Sequence, residues 1–208
     1  MTHHKECIIA ARKYYTAKLA AHGPTPRGVD WNSEESQSLR FVQLLKIADE
    51  ADSFSLIDYG CGYGGLVSFL QRHKRNFFYT GFDVAEAMVE TARALYGHYP
   101  YCAFTTNPSE LCPADYVVSS GALNVKLDID DKAWGEYVLY MLENFNELST
   151  KGFAFNLLSR YSDPALRRDD LFYADPLDMF DHCKRRFSRL VALLHDYPLY
   201  EFTILVRK

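Results

Sequence analysis

Residues 56–65 read LIDYGCGYGG, and this stretch decides the fold of the chain. A short apolar strand pattern over residues 54–58 leads into a turn rich in glycine, and a helical pattern follows the turn. Gly60, Gly62 and Gly65 satisfy the spacing Gly-x-Gly-x-x-Gly, which is typical of dinucleotide-binding turns between a strand and a helix. Because this spacing alone is a weak signal, the residues that flank the turn decide which kind of ligand the sequence predicts.

Two carboxylates flank the turn and bear on the kind of cofactor. Asp58 ends the first strand, where a carboxylate suits a cationic group such as the amino group of a methionine moiety and is awkward beside a pyrophosphate. Asp83 ends a second strand over residues 77–82, where a carboxylate can accept hydrogen bonds from two ribose hydroxyls, worth about 1.5–3 kcal/mol each. Asp83 equally fits a dinucleotide, or an N-cap of the following helix.

The rest of the chain alternates between helical and strand patterns. Its last two strands are separated by a tight connection, which predicts an antiparallel hairpin. The alternation before them predicts a parallel sheet covered on both faces, with ligands at the carboxyl ends of its strands. The predicted helices are 5–21, one capped by Ser33, 64–72, 85–96, 131–148 and one capped by Asp175. The predicted strands are 54–58, 77–82, 101–105, 116–119, 152–158, 190–194 and 199–206.

The bulk composition argues against several classes of protein. The 208 residues carry a net charge of −4 without a basic stripe, which argues against a nucleic-acid partner. No apolar run approaches the roughly 20 residues of a membrane span, and the N-terminus lacks the apolar core of a signal peptide. The five cysteines are scattered, without a Cys-x-x-Cys pair, as is typical of reduced thiols. We expect a cytoplasmic protein, a monomer or homodimer, without a metal site or a membrane partner.

Residues 56–64, LIDYGCGYG, and residues 81–88, GFDVAEAM, resemble motif I and the following acidic motif of the class I S-adenosylmethionine-dependent methyltransferases. The strand pattern from about residue 54 onwards is similar to that family's seven-stranded, Rossmann-like, mostly parallel α/β sheet with a C-terminal antiparallel hairpin. The resemblance implies one methyltransferase domain over 1–208, with an N-terminal helical cap over 1–50 and a cofactor-binding core over 51–208. It also implies that S-adenosylmethionine is the cofactor.

Carried over by position, the resemblance implies a set of cofactor contacts. The glycines wrap the cofactor, Asp83 holds the ribose, and Val84 and Met88 pack near the adenine. Ser120 and Gly121, after the fourth strand, pass beside the methionine portion. Residues 105–108, TTNP, depart from the family pattern, because they lack the acidic residue that often meets the adenine amino group. The implied cofactor residues are Asp58, Gly60, Gly62, Gly64, Asp83, Val84, Met88, Ser120 and Gly121.

Candidates for the acceptor side come from loops at the carboxyl ends of strands four to six. Methyl transfer from a sulfonium is an in-line displacement, so the protein positions the acceptor and, where needed, removes a proton from it. A histidine titrates near neutral pH, which makes His195 the candidate base, and Tyr161 and Asn124 are further catalytic candidates. Arg160, Arg167 and Arg168 follow strand five, and one of them would suit a carboxylate or phosphate, which predicts an acidic small-molecule acceptor. Ordinary surface or packing roles remain open for His195, Tyr161 and the arginines.

The N-terminal 50 residues precede the sheet and belong to no part of the cofactor motif. In this class of enzymes, extra N-terminal helices commonly cover the active site. Tyr15, Trp31 and Arg40 are the candidates for such a lid or for substrate contact, and a lid excludes water from the reacting centre. A purely packing role explains the aromatic residues equally well.

Residues 119–124, SSGALN, lack the Asn/Asp-Pro-Pro-Tyr/Phe pattern that holds planar amino groups in some methyltransferases. Its absence favours methyl transfer to an oxygen or nitrogen of a small molecule. Three alternatives stay open. They are an enzyme of this fold that transfers or cyclises the aminobutyl group and releases methylthioadenosine, a nicotinamide-dependent oxidoreductase, and a non-catalytic partner subunit.

Overall fold

A computed structural model describes residues 2–49 and 51–208 of the chain. The helices are α1 (Thr2–His22), α2 (Glu34–Leu45), α3 (Gly65–Arg72), α4 (Glu86–Tyr96), α5 (Asp131–Leu148) and α6 (Pro176–Arg186). The strands are β1 (Ser53–Tyr59), β2 (Asn76–Phe82), β3 (Cys102–Thr105), β4 (Ala114–Ser119), β5 (Ser149–Ser159), β6 (Tyr173–Ala174), β7 (Leu190–Leu194) and β8 (Glu201–Arg207). Within the described ranges, every helix is too short or too polar to cross a membrane.

The strands form one sheet in the order β3-β2-β1-β4-β5-β8-β7. Neighbours from β3 to β5 run parallel, whereas β8 runs antiparallel to both β5 and β7. These seven strands confirm the predicted Rossmann-like sheet with its closing hairpin. The two-residue strand β6 is an addition, and it pairs with the end of β5. The strand order reverses between β1 and β4, which is where such sheets bind ligands at their carboxyl edge.

Local sequence signals explain where two of the helices begin. Ser33 caps α2 in a reciprocal pair, because its hydroxyl accepts from the Ser36 amide at 3.1 Å and its own amide donates to the Ser36 hydroxyl at 3.3 Å. Asp175 caps α6 by accepting from the Leu177 amide at 2.9 Å, with Pro176 at the first helical position. Both predicted helix starts are confirmed.

The sheet separates two apolar cores, one on each face. α5 and α6 cover the first face, where Phe145 and Phe153 are fully buried. α2, α3 and α4 cover the second face, with Leu44, Leu70 and Val89 in its core. Burial of one such side chain stabilises the fold by about 1.5–3 kcal/mol. The apolar runs of β4 and β5 are therefore those of strands buried on both faces.

Helix α1 lies over the loops at the carboxyl edge of the sheet, between α4 and α5. The Arg12 Nε atom donates to the Val84 carbonyl at 2.8 Å, and Leu19 packs against Met88. This is the position that a lid over the cofactor requires. The division into a cap and a core stays a prediction, and its boundary residue, Glu50, lies outside the described residues.

Substitution of Phe153 tests the assignment of the core. Its ring lies between those of Phe145 and Phe187, with centroids 6.3 and 5.3 Å away. We expect Phe153→Ala to lower the free energy of unfolding by about 3–5 kcal/mol in urea denaturation, because it leaves a cavity. Phe78 on β2 is 63% exposed, so Phe78→Ala is the control and should change the free energy by less than about 0.5 kcal/mol. Equal losses would contradict this core.

Candidate active site

The glycine turn is fastened to the end of β2 through its backbone. The amides of Gly60 and Cys61 both donate to the Phe82 carbonyl, at 2.8 and 3.0 Å. Gly62 has a φ of 53°, and a Cβ there would lie 2.7 Å from the Val29 Cγ1 atom. Neither the conformation nor the space admits a side chain, so the turn requires glycine at this position.

Asp83 holds the turn in place and faces the same space. Its Oδ2 atom accepts from the Gly62 amide and its Oδ1 atom from the Ala85 amide, both at 2.9 Å. Burial raises the pKa of the Asp83 carboxyl, and hydrogen bonds from the backbone of Ala85, Gly62 and Val84 oppose that rise. Each carboxylate oxygen can accept more than one hydrogen bond, so this carboxylate can support the turn and also bind a ligand.

Asp58 lies at the end of β1 and is buried beside Tyr79, whose hydroxyl donates to the Asp58 Oδ2 atom at 2.7 Å. Burial raises the pKa of Asp58 to about 7, the Tyr79 hydrogen bond acts against the rise, and the neighbouring Asp83 adds to it. A cationic ligand group would favour the ionised form and relieve this cost. A carboxyl group perturbed by burial and by a like charge is typical of a functional site.

The turn and both carboxylates line a cavity at the carboxyl edge of the sheet. Ile8, Ala11 and Tyr15 line it from α1, so α1 covers this cavity. The Ser120 Oγ atom also faces it and is buried without a hydrogen-bond partner in the described part of the chain. The predicted cofactor residues in its lining are Asp58, Gly60, Gly62, Asp83, Val84, Met88 and Ser120.

Two predicted cofactor residues do not line this first cavity. Gly64 lies behind the turn at the start of α3, where a Cβ would meet the Tyr96 ring at 2.9 Å, so it is needed for close packing of the helices. Gly121 lines a neighbouring cavity, because the chain turns there with a φ of 72°.

The second cavity adjoins the first. Tyr15, Val29 and Trp31 line both cavities, so they mark the place where the two cavities meet. Asn124 lines the second cavity and is buried, with its Oδ1 atom accepting from the Leu158 amide at 3.1 Å. Its Nδ2 atom has no partner among the described residues, which leaves a buried donor for a ligand.

Both arginines in the lining of the second cavity are paired with carboxylates. Arg40 binds Glu201 through three hydrogen bonds of 2.5–2.9 Å, and both side chains are almost fully buried. Arg168 donates to Asp170 at 2.9 and 2.5 Å and lies 3.6 Å from Asp30. The positive charges of this lining are therefore already compensated by the protein.

The structure places three predicted acceptor residues away from both cavities. Tyr161 is 62% exposed and its ring lies 6.0 Å from that of His195, which is also exposed. Arg160 is exposed and paired with Asp175 at the start of α6. Arg160 and Tyr161 follow β5 where the unpredicted strand β6 pairs with its end, so they lie beyond that pairing. His195 follows β7, the edge strand of the sheet, two places from β5. The other candidates, Tyr15, Trp31, Arg40 and Asn124, do line a cavity.

Two further residues, Glu201 and Asn156, were not predicted from the sequence, whereas Arg168 was one of the three predicted arginines. Glu201 and Arg168 line the second cavity, and the Asn156 Nδ2 atom donates to the Glu201 Oε2 atom at 2.8 Å. A signal was present, because Asn156 interrupts an otherwise apolar strand and Glu201 opens another. A polar residue in a strand buried on both faces needs a partner, and that partner is worth searching for.

The glycine turn lies between two buried carboxylates, at the switch point of a parallel sheet and under a covering helix. This arrangement defines a Rossmann-like cofactor-binding protein. No protein-family model matches the sequence. The "Putative methyltransferase Rv1506c" of Mycobacterium tuberculosis is 46% identical over 164 residues, which are 79% of this chain and 99% of that protein.

Two solved structures share the fold. The N-methyltransferase NodS from Bradyrhizobium japonicum WM9, in complex with S-adenosyl-L-homocysteine, has a TM-score of 0.63 at 15% identity, over 95% of this chain and 98% of that chain. Magnesium protoporphyrin IX methyltransferase from Synechocystis PCC 6803, with bound S-adenosylhomocysteine, has a TM-score of 0.57 at 16% identity, over 84% of this chain and 81% of that chain. The chain belongs to the class I S-adenosylmethionine-dependent methyltransferase family.

The residues around the first cavity fit S-adenosylmethionine, which supplies a methyl group on a cationic sulfur when bound. Asp58 offers a carboxylate to its ammonium group, and Asp83 offers one to its ribose hydroxyls. The unpartnered Ser120 hydroxyl offers a further hydrogen-bonding group, and Gly60 and Gly62 add no side chain to the lining. These individual contacts stay predictions.

The pKa of Asp58 predicts how cofactor affinity depends on pH. With a pKa of about 7, the ionised fraction falls about tenfold from pH 8 to pH 6, and the ammonium group of the ligand requires the ionised form. We expect S-adenosylhomocysteine to bind about tenfold more weakly at pH 6 than at pH 8 in calorimetry. Asp58→Asn should bind weakly at both pH values. An equally steep pH dependence in Asp58→Asn would assign the titration to another group.

Proposed function

We propose that this chain transfers a methyl group from S-adenosylmethionine to an oxygen or nitrogen of an uncharged small molecule bound in the second cavity. The observation that supports the proposal is that the two cavities adjoin, because Tyr15, Val29 and Trp31 line both of them. In-line displacement requires the reacting atoms to approach within about 3–3.5 Å. An acceptor therefore has to bind directly beside the cofactor, and the second cavity is in that position.

The charges around the second cavity favour an uncharged acceptor over the acidic one that Arg160 predicted. Arg160 lies outside the lining and pairs with Asp175. Arg40 and Arg168 face carboxylates of their own, so a carboxylate or phosphate entering the cavity would have to displace one. At Arg40 this displacement would leave the buried Glu201 carboxylate without its partner, which is unfavourable, whereas the Arg168–Asp170 pair is largely exposed. A neutral acceptor meets no such penalty.

Asn124 supplies the hydrogen bond that would orient such an acceptor. Its Nδ2 atom is a buried, unpartnered donor, and a hydroxyl, carbonyl or amine of the acceptor can accept from it. The main contribution of this chain to the reaction would be to position the acceptor beside the methyl group.

The charge of the chain favours a small molecule over nucleic acid as acceptor. Its net charge of −4 offers no attraction to nucleic acid. The cytoplasmic location and the monomeric or homodimeric state stay predictions from the sequence.

Incubation of the purified chain with methyl-labelled S-adenosylmethionine and a small-molecule extract tests the proposal. We expect mass spectrometry to detect labelled acceptor and S-adenosylhomocysteine in equal amounts. Methylthioadenosine without labelled acceptor would instead support aminobutyl transfer or cyclisation. Cofactor binding with neither product would support a non-catalytic partner subunit. The family assignment contradicts the nicotinamide alternative.

Substitution of Asn124 tests the acceptor site itself. We expect Asn124→Ala to raise the KM for the labelled acceptor about tenfold, the effect of losing about 1.4 kcal/mol of hydrogen bonding. The Kd for S-adenosylhomocysteine should stay within about threefold, because Asn124 does not line the first cavity. Asn144→Ala is the control, since Asn144 lies on α5 outside both linings. An unchanged acceptor KM in Asn124→Ala would remove Asn124 from the site.

A further inference from the structure

A buried ion pair joins two parts of the chain that are distant in sequence, helix α2 and strand β8. The Arg40 Nε atom lies 2.9 Å from both carboxylate oxygens of Glu201, and its Nη2 atom lies 2.5 Å from one of them. The side chains are 9% and 1% exposed. A buried pair of charges loses its hydration on folding, and apolar residues of similar size are often as stabilising. Stability alone is therefore a poor explanation for this pair.

The pair belongs to a chain of hydrogen bonds that ends beside the first cavity. The Asn156 Nδ2 atom donates to the Glu201 Oε2 atom at 2.8 Å, and the Asn156 Oδ1 atom accepts from the Gly121 amide at 2.7 Å. The Arg40 Nη1 atom donates to the Ser36 carbonyl at 2.8 Å. Glu201 thus connects the helix that carries Arg40 to the loop after β4.

The other end of this network is Trp31. The Arg40 guanidinium lies 3.8 Å from the centroid of the Trp31 ring, and the ring in turn lies over Gly121. A Cβ at Gly121 would approach two carbons of the ring to 2.2 Å. Both ends of the network therefore meet where Trp31 contacts Gly121.

This contact lies on the boundary between the two cavities. Ser120 and Ala122 line the first cavity, whereas Gly121 and Asn124 line the second, and Trp31 lines both. A methyl group that passes from one cavity to the other has to cross this boundary. The positions of Trp31 and of the Gly121 backbone therefore determine the shape of the passage.

We propose that Arg40 and Glu201 are positioning residues for methyl transfer, which hold the contact between Trp31 and Gly121 at the edge of the passage between cofactor and acceptor. The ion pair fixes the guanidinium plane, the guanidinium fixes the indole, and Asn156 fixes the Gly121 amide. The kinetic part of the proposal rests on the proposed function, whereas the restraint on Trp31 does not.

Fluorescence of Trp31 tests the restraint without any activity. The chain has two tryptophans, and Trp134 is 1% exposed, so acrylamide quenching reports mainly on Trp31. The variant Arg40→Met/Glu201→Gln removes both charges together and avoids leaving one of them unpaired in the interior. We expect its quenching constant to rise about twofold or more, because the cation–π contact is lost. Arg186→Met is the matched control, since Arg186 forms an exposed pair with Glu143 and should change nothing.

Kinetics with the labelled acceptor tests the role in transfer. We expect kcat of the double variant to fall about tenfold or more, while the Kd for S-adenosylhomocysteine stays within about threefold. Arg40→Lys keeps the charge without the planar stack, so its quenching and kcat should lie between those of the wild type and the double variant. Thermal melting checks that each variant is folded.

Unchanged quenching in a folded double variant would overturn the proposal, and so would increased quenching with an unchanged kcat. If the wild-type chain methylates nothing in the extract, the proposed function fails. The quenching result still decides in that case whether Arg40 and Glu201 position Trp31.

Discussion

The Asp83 carboxylate joins three parts of the molecule, and the arrangement of the active site depends on it. One oxygen accepts from Gly62 in the glycine turn and the other from Ala85 before α4, while the group itself faces the first cavity. Asp58 is buried nearby, and the negative charge of one carboxylate disfavours ionisation of the other in the free protein. A ligand with a cationic amino group and a ribose relieves that conflict. Binding of the cofactor should therefore stabilise the folded chain.

The acceptor site is built from parts of the chain that the cofactor motif does not include. Helix α1 and the segment with Val29 and Trp31 cover the first cavity and form the wall of the second. Asp30 holds this segment to α1, because it accepts from Tyr14 at 2.8 Å and from Lys18 at 2.5 Å. The N-terminal helices thus connect two tasks, since the residues that exclude water from the cofactor also shape the place of the acceptor.

Much of the fold could be predicted from the sequence, because its signals are local. The apolar run into the glycine turn, the caps at Ser33 and Asp175, and the closing hairpin each depend on a few neighbouring residues. The location of the first cavity could be predicted from the same glycine motif. The second cavity could not be predicted, because its pairs join residues as distant as Arg40 and Glu201. The exposed position of Tyr161 depends on the pairing of β6 with β5, and that of His195 on the place of β7 at the edge of the sheet, neither of which a local pattern marks.

The most direct test is a crystal structure of this chain with S-adenosylhomocysteine. The account predicts ribose hydroxyls within hydrogen-bond distance of the Asp83 carboxylate, the ammonium group beside Asp58, and the sulfur facing the contact between Trp31 and Gly121. A ligand that lies in the first cavity with its sugar away from Asp83, or with its sulfur away from Trp31, would contradict it.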